Sequence, residues 1–310
     1  MRIAVYIPLL LSLLAPLGAR PLAERCEPRL ATWLLTASAL VLGTATTISL
    51  GLLAITGLIR FPHPAALGHW SAHAAQRDDP AELSVALIAG LLLGAAGLMA
   101  ARMLWRRART LATAALEAAC MPAEDGLVVI DDEAPNAFAI PGLPGRVVVS
   151  TGMLHTLDET ERHILLAHER AHLTAHHYAF VALTQLGAAA NPLLRPLATA
   201  VTYTIERWAD EKAAIATGDR ERVARTVGKA ALAAHHVPAR TPGAALGILG
   251  HRTPLAAAGP VPRRVAALLA PPFGRHPVLT AATATVLAIT ALSTAEAAHD
   301  LHLLLETVGA

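Results

Sequence analysis

The chain has 310 residues, of which 54% are apolar and 15% charged, with a mean hydropathy of +0.48 and a formal net charge of +2. Soluble domains carry about a quarter charged residues, so this composition points to the membrane class. The near-neutral charge and the lack of a basic patch interleaved with aromatics exclude a nucleic-acid partner. Two cysteines, Cys26 and Cys120, are too few for a disulfide framework and form no C-x-x-C pair.

Four apolar stretches are candidate spans for a bilayer that needs about 20 residues per helix. They run over 3–19, 30–59, 83–104 and 277–297. The first could be a signal peptide, but Leu17-Gly18-Ala19 is a poor A-x-A cleavage site and Arg20, Arg25 and Arg29 follow it closely, so a retained span is expected. Loop charge then sets orientation. The loop with Arg20, Arg25 and Arg29 and the segment Trp105-Arg106-Arg107-Ala108-Arg109 read as cytoplasmic. The loop from Arg60 to Glu82, with its offsetting acids, and the tail after 297 read as external. The expected divisions are a membrane region over 1–105, a cytoplasmic domain over 106–276, and a last span with a short external tail over 277–310.

Within 106–276, Gly126 to Ile130 reads as a short strand. Asn136 to Ile140 and Arg146 to Ser150 read as a strand pair around a Pro-Gly turn. Thr156-Leu157-Asp158-Glu159 fits a capping box that opens a helix reaching about His177. A second helix is expected from about Val201 to Thr217, ended by Gly218, and a third from Glu221 to Ala234. Ala239 to Pro260, rich in Gly, Pro and Ala, reads as a mobile linker or substrate-side loop.

The first of these helices contains His168-Glu169-Arg170-Ala171-His172, an H-E-x-x-H segment. At i, i+4 the two imidazoles share one helix face with a carboxylate beside them, which can hold Zn²⁺ and give an attacking water a base, Glu169. A catalytic zinc takes three protein ligands. Glu206 is the best third candidate, because Glu206 and Asp210 lie i, i+4 on the second helix. Asp210 can then hydrogen-bond the outer nitrogen of a ligand histidine. Glu206 can reach His168 and His172 only if the apolar stretch from Tyr178 to Tyr203 does not cross the membrane once. Two short helices broken near Asn191-Pro192 are therefore expected.

H-E-x-x-H followed by E-x-x-A-D resembles the gluzincin membrane metallopeptidases, both the M48 (CAAX-protease and HtpX-like) and M56 (BlaR/MecR-like) families. Pro135-Asn136-Ala137-Phe138-Ala139-Ile140-Pro141-Gly142, Val147 to Leu154, and Arg264-Val265-Ala266-Ala267-Leu268 are similar to segments that these families carry. The resemblance implies a mainly α membrane protein of about four transmembrane helices with an inserted α+β zincin-like domain. It implies a zinc endopeptidase in a bacterial plasma membrane, multi-pass, with its termini outside and one catalytic zinc ion. Its partners would be the lipid bilayer and a protein or peptide substrate, with a repressor of the BlaI/MecI type among the candidates on the M56 side. The chain ends shortly after its fourth span, so the large extracytoplasmic sensor of β-lactam receptors is not expected. Pro262-Arg263 stands where M48 members often carry histidine-proline.

Asn136, Ala137, Val148, Arg264 and His177 are candidates for substrate binding; Arg146 to Ser150 reads equally as a sheet edge to which a peptide could add or as an internal strand with no free edge. His177, His163 and Arg264 are candidate oxyanion donors. His63, His69, His73, His299 and His302 could form an external metal site, though scattered solvated histidines are the simpler expectation. The competing functions are a non-catalytic zinc-containing signalling or scaffold protein, and a transporter. The near-absence of ionisable residues in the spans argues against the transporter.

Overall fold

A computed structural model describes residues 3–58, 83–235, 260–271 and 276–309. The chain is mainly helical, and among the described residues four helices are long and apolar enough to cross a membrane. After a short 3-10 turn, α1 spans Ile7–Arg25, α2 Pro28–Leu58 and α3 Leu83–Cys120. A three-stranded sheet follows, with β1 Leu127–Ile130, β2 Ala137–Ile140 and β3 Arg146–Ser150. Then come α4 Thr151–Thr156, α5 Glu159–Thr174, α6 His177–Ala190, α7 Arg195–Thr217, α8 Arg220–His235, α9 Pro260–Leu269 and α10 Pro277–Gly309. The loop with His63, His69 and His73, and the Gly/Pro/Ala-rich stretch 239–259, lie outside the described residues. His302 lies 3.2 Å from Glu306 along its own helix.

Each span helix is longer than its apolar run. Apolar composition stops at the first arginines, but the backbone hydrogen bonds of α3 continue through Arg106 and Arg107 to Cys120. Leu87, Leu91, Leu98 and Trp105 on α3 face outward, an apolar surface of the kind that lipid covers.

The strand order is β1-β3-β2, with β1 parallel and β2 antiparallel to β3. Arg146–Ser150 is thus the central strand, and Val148 sits in the core at 1% exposure. Among the described residues it offers no free edge to a peptide, so of the two readings of this strand the internal one holds. The cap of α5 is also shifted. Asp158 accepts from the Glu161 backbone and Glu161 returns the bond, so the box is Asp158-x-x-Glu161, two residues later than Thr156-x-x-Glu159.

The apolar stretch after α5 breaks at Asn191-Pro192, giving the two helices α6 and α7 joined by a short 3-10 turn. This hairpin packs along α2. Gly187 lies against Ala39 and Gly43, Asn191 Nδ2 donates to Thr46 Oγ1 at 3.1 Å, and Thr32 Oγ1 donates to Thr204 Oγ1 at 2.9 Å on the return. Thr46 also lies 3.1 Å from Ser12 of α1, so one level of the bundle joins three elements through hydroxyls and an amide. A Cβ on Gly187 would stand 2.3 Å from the Ala39 carbonyl oxygen, a backbone atom that cannot move alone. Gly187→Ala is therefore expected to cost about 1–3 kcal/mol by overpacking, read as a lowered thermal midpoint in detergent.

The core around α1 and α2 (Leu35, Ala39, Leu42) continues directly into α6 and α7 (Phe180, Val181, Leu197, Val201, Trp208). The second core joins β3, α5, α7 and α8 through Val149, Leu165, Ala213 and Val227. Helix α7 belongs to both and carries Glu206 and Asp210 between them.

Candidate metal centre

Helix α5 presents His168, Glu169 and His172, all at most 1% exposed. Helix α7 crosses it and brings in Glu206 and Asp210, likewise buried. His168 Nε2 and His172 Nε2 lie 3.2 Å apart, and each lies 3.6 Å from an oxygen of Glu206. One ligand atom from each of the three residues fits within a 4.8 Å cluster. Tetrahedral zinc with bonds near 2.0–2.1 Å separates its ligand atoms by roughly 3.3 Å, so this set fits that ion. The buried His168, His172 and Glu206 could hold a metal.

The outer nitrogens of both histidines lie against neighbouring side chains. His168 Nδ1 lies 3.0 Å from Asp210 Oδ1, the carboxylate–histidine arrangement that fixes the tautomer and leaves Nε2 free to ligate. His172 Nδ1 lies 2.9 Å from His177 Nδ1. The chain reaches that contact because His176, between α5 and α6, adopts a left-handed backbone at φ 51° and turns His177 back onto His172. His177 is fully buried, with its ring 4.8 Å from that of Trp208. It thus stands behind His172, not on an open substrate surface. His163 is exposed on α5, well round the helix from His168.

Arg264, on α9, closes the site from the side. Its Nε and Nη2 donate to Asp210 at 2.8 and 2.7 Å, and its Nη1 lies 3.0 Å from Glu206 Oε2. At 1% exposure it is a buried counter-ion to both carboxylates. Asn136 is half-buried and tied to Ser150 through its backbone, and Ala137 is buried in β2. Trp208 and Arg207 had no role in the sequence reading. Trp208 backs His177 and lies under the Arg29 guanidinium, and Arg207 donates to the Ala23 carbonyl, fastening the site helix to the α1–α2 turn. Their place inside E-R-W-A-D gave no signal of either contact.

Charge within the site is sharply divided. Burial disfavours a charged carboxyl at Asp210 and Glu206, but Arg264 above all outweighs it and holds both below the usual carboxylate range. Burial also works against charge on His168, yet Asp210 and Glu206 lift its pKa to about 9. Burial pushes His172 well down, only partly offset by Glu206, and brings His177 to about 3.

These directions set an acid limb for the metal-free protein. An unfolded histidine titrates near 6.5, so from there down to about pH 3 the unfolded chain takes up a proton that folded His177 refuses. Stability therefore falls as pH drops, by about 2 kcal/mol at pH 5 from this one group. His168 acts the other way: its contribution is complete below 6.5 and is lost as pH rises through about 9. With chelator present, the thermal midpoint should fall between pH 6.5 and 5, and His177→Gln should flatten that fall.

Residues 106–194 match the family model for Peptidase family M48. That stretch includes His168, Glu169 and His172 and stops short of Glu206. An 83-residue segment is 35% identical to a "Protease HtpX homolog" of Pelodictyon phaeoclathratiforme (strain DSM 5477 / BU-1), covering 26% of this chain. The matched segment spans only 28% of that relative's length. No solved structure matches the chain. Residues 106–194 are therefore similar to the M48 peptidases across the segment that carries the H-E-x-x-H helix.

Proposed function

We propose that this protein is a membrane-embedded zinc endopeptidase that hydrolyses peptide bonds of a protein substrate at the cytoplasmic surface of a bacterial plasma membrane. The observation that carries the reading is the buried convergence of His168, His172 and Glu206 beside Glu169, on a helix within the M48-like segment. When bound, zinc would polarise the scissile carbonyl and acidify an attacking water.

The remaining chemistry belongs to the chain. Glu169 accepts the proton of the attacking water and delivers it to the leaving amine nitrogen. Asp210 holds His168 with its Nδ1 proton inward, so that Nε2 faces the metal. His177 does the same for His172, accepting at its Nδ1 the proton that His172 carries on Nδ1. Arg264 keeps Glu206 and Asp210 ionised, so that the ligand set carries its negative charge at neutral pH.

The bundle supports a cytoplasmic site. Arg107 donates to Gln185 at 2.8 Å, two residues before Gly187, which packs on Ala39 of α2. Arg20 of α1 lies about 12 Å along its helix from Ser12, which meets Thr46, so it falls near the same level. The arginine-rich ends of two spans thus share one level. The metal centre lies beyond it, beside the α1–α2 turn, and the hairpin tip at Asn191 dips about 10 Å to the apolar side without crossing. The proposed divisions are the membrane region 1–105, the catalytic domain 106–276 and the last span with its external tail 277–310, welded through α7. Protease protection should find Arg146 and Lys212 on one face of the membrane, and opposite faces would refute the arrangement.

The test of the metal is its stoichiometry. Purified protein should hold one zinc per chain, and His172→Ala and Glu206→Ala should each lose it. Full zinc occupancy in both variants would refute the ligand set.

A further inference from the structure

Between α3 and α6 lies a cavity of about 370 Å³, lined by Arg102, Arg106 and Arg107 together with Met99, Met103 and Gln185. None of the metal-centre residues lines it, and it has no part in the chemistry above. No carboxylate lines it, and among the described residues none of the three arginines is paired with one. Arg107 is held by Gln185, which fixes one wall. Arg102 and Arg106 stand i, i+4 on α3 and are exposed, so two guanidinium groups one helical turn apart face a space lined by no carboxylate. Met99 and Met103, also i, i+4, line the same space and continue the outward apolar surface of α3 at Leu91 and Leu98.

The space is therefore cationic toward the arginines and apolar toward the span, at the level where the bundle leaves its apolar zone. We infer that this cavity binds one anionic phospholipid, its phosphodiester held by Arg102 and Arg106 and its first acyl methylenes lying on Met99 and Met103. Guanidinium groups form paired hydrogen bonds with phosphate oxygens, and basic pockets between spans on the cytoplasmic side suit anionic headgroups. The volume lies within the range of small-molecule pockets. The lipid braces α6 against α3, and α6 begins at His177, which backs the ligand His172. The inference rests on the membrane placement proposed above, but not on catalysis.

The test uses full-length Glu169→Gln protein in neutral detergent, titrated with dioleoyl phosphatidylglycerol, dioleoyl phosphatidylcholine or inorganic phosphate and followed by native mass spectrometry and thermal midpoint. Phosphatidylglycerol should bind as one retained molecule, at least about tenfold tighter than phosphatidylcholine, and phosphate should leave the midpoint unchanged. Arg102→Gln with Arg106→Gln should weaken phosphatidylglycerol by about tenfold or more. Met103→Glu, which puts a carboxylate into the cavity, should do the same. Arg109→Gln, on the same helix but outside the cavity, should bind as the parent does. Equal binding of both lipids, an effect of phosphate matching that of phosphatidylglycerol, or undiminished binding in both cavity variants would overturn the inference. A lipid-free thermal midpoint equal to the parent's certifies that each variant is folded. Failure of the membrane placement itself would show separately, as protein released from membranes by alkaline carbonate without detergent.

Discussion

Glu169→Gln should lower cleavage of an unfolded protein substrate such as casein by about 10²–10⁴-fold while the bound zinc stays at one per chain. The substitution keeps size and shape at a fully buried position, so packing is retained. It removes the only property that the mechanism requires there, a carboxylate able to take a proton. Glu169 stands outside the His168, His172 and Glu206 cluster, so the metal should not depend on it. Loss of zinc together with activity would make Glu169 a ligand and not a base. Retained activity would remove it from the chemistry.

Arg264→Ala should be the most destabilising single change in the site, costing about 3–5 kcal/mol in the metal-free protein. Arg264 is buried and makes the contacts that neutralise Asp210 and Glu206 together. Without it, two carboxylates stay in a low-dielectric interior with His168 as their one close counter-charge among the described residues. Loss of the guanidinium also unties α9 from α7. Arg264→Lys should recover only part of the loss, because an ammonium cannot reproduce a paired contact to Asp210 and reach Glu206 as well. Saturating zinc should restore some stability to Arg264→Ala, since the ion supplies positive charge beside Glu206. Thermal unfolding with and without chelator measures both effects, and an Arg264→Ala midpoint equal to the parent's would contradict the role.

Much of the metal centre was legible because its determinants are local. The i, i+4 spacing of His168 and His172, and of Glu206 and Asp210, follows from helix geometry alone. The break at Asn191-Pro192 follows from the lost backbone donor and from the need for Glu206 to return to the histidines. The central place of β3 was not legible, since alternating apolar residues mark a strand but not its neighbours, and the parallel β1–β3 pairing brings together residues distant in sequence. The helices of the first and third spans run on past the apolar stretches because composition changes at Arg20 and Arg106 while helical hydrogen bonding continues. His177 reads from sequence as a candidate substrate contact or oxyanion donor. Only the left-handed His176 turns it inward to His172. Arg264 was marked by its motif position, and its partners became visible only when α9 packed on α7.

The central claim is that this chain cuts other polypeptides with the Glu169 carboxylate. The most direct measurement compares peptide termini in membrane and cytosolic fractions from cells making the intact protein or Glu169→Gln at equal levels. The account predicts a set of new termini present only with the intact protein. Identical termini in the two, with zinc bound in both, would contradict it and leave a zinc-holding scaffold.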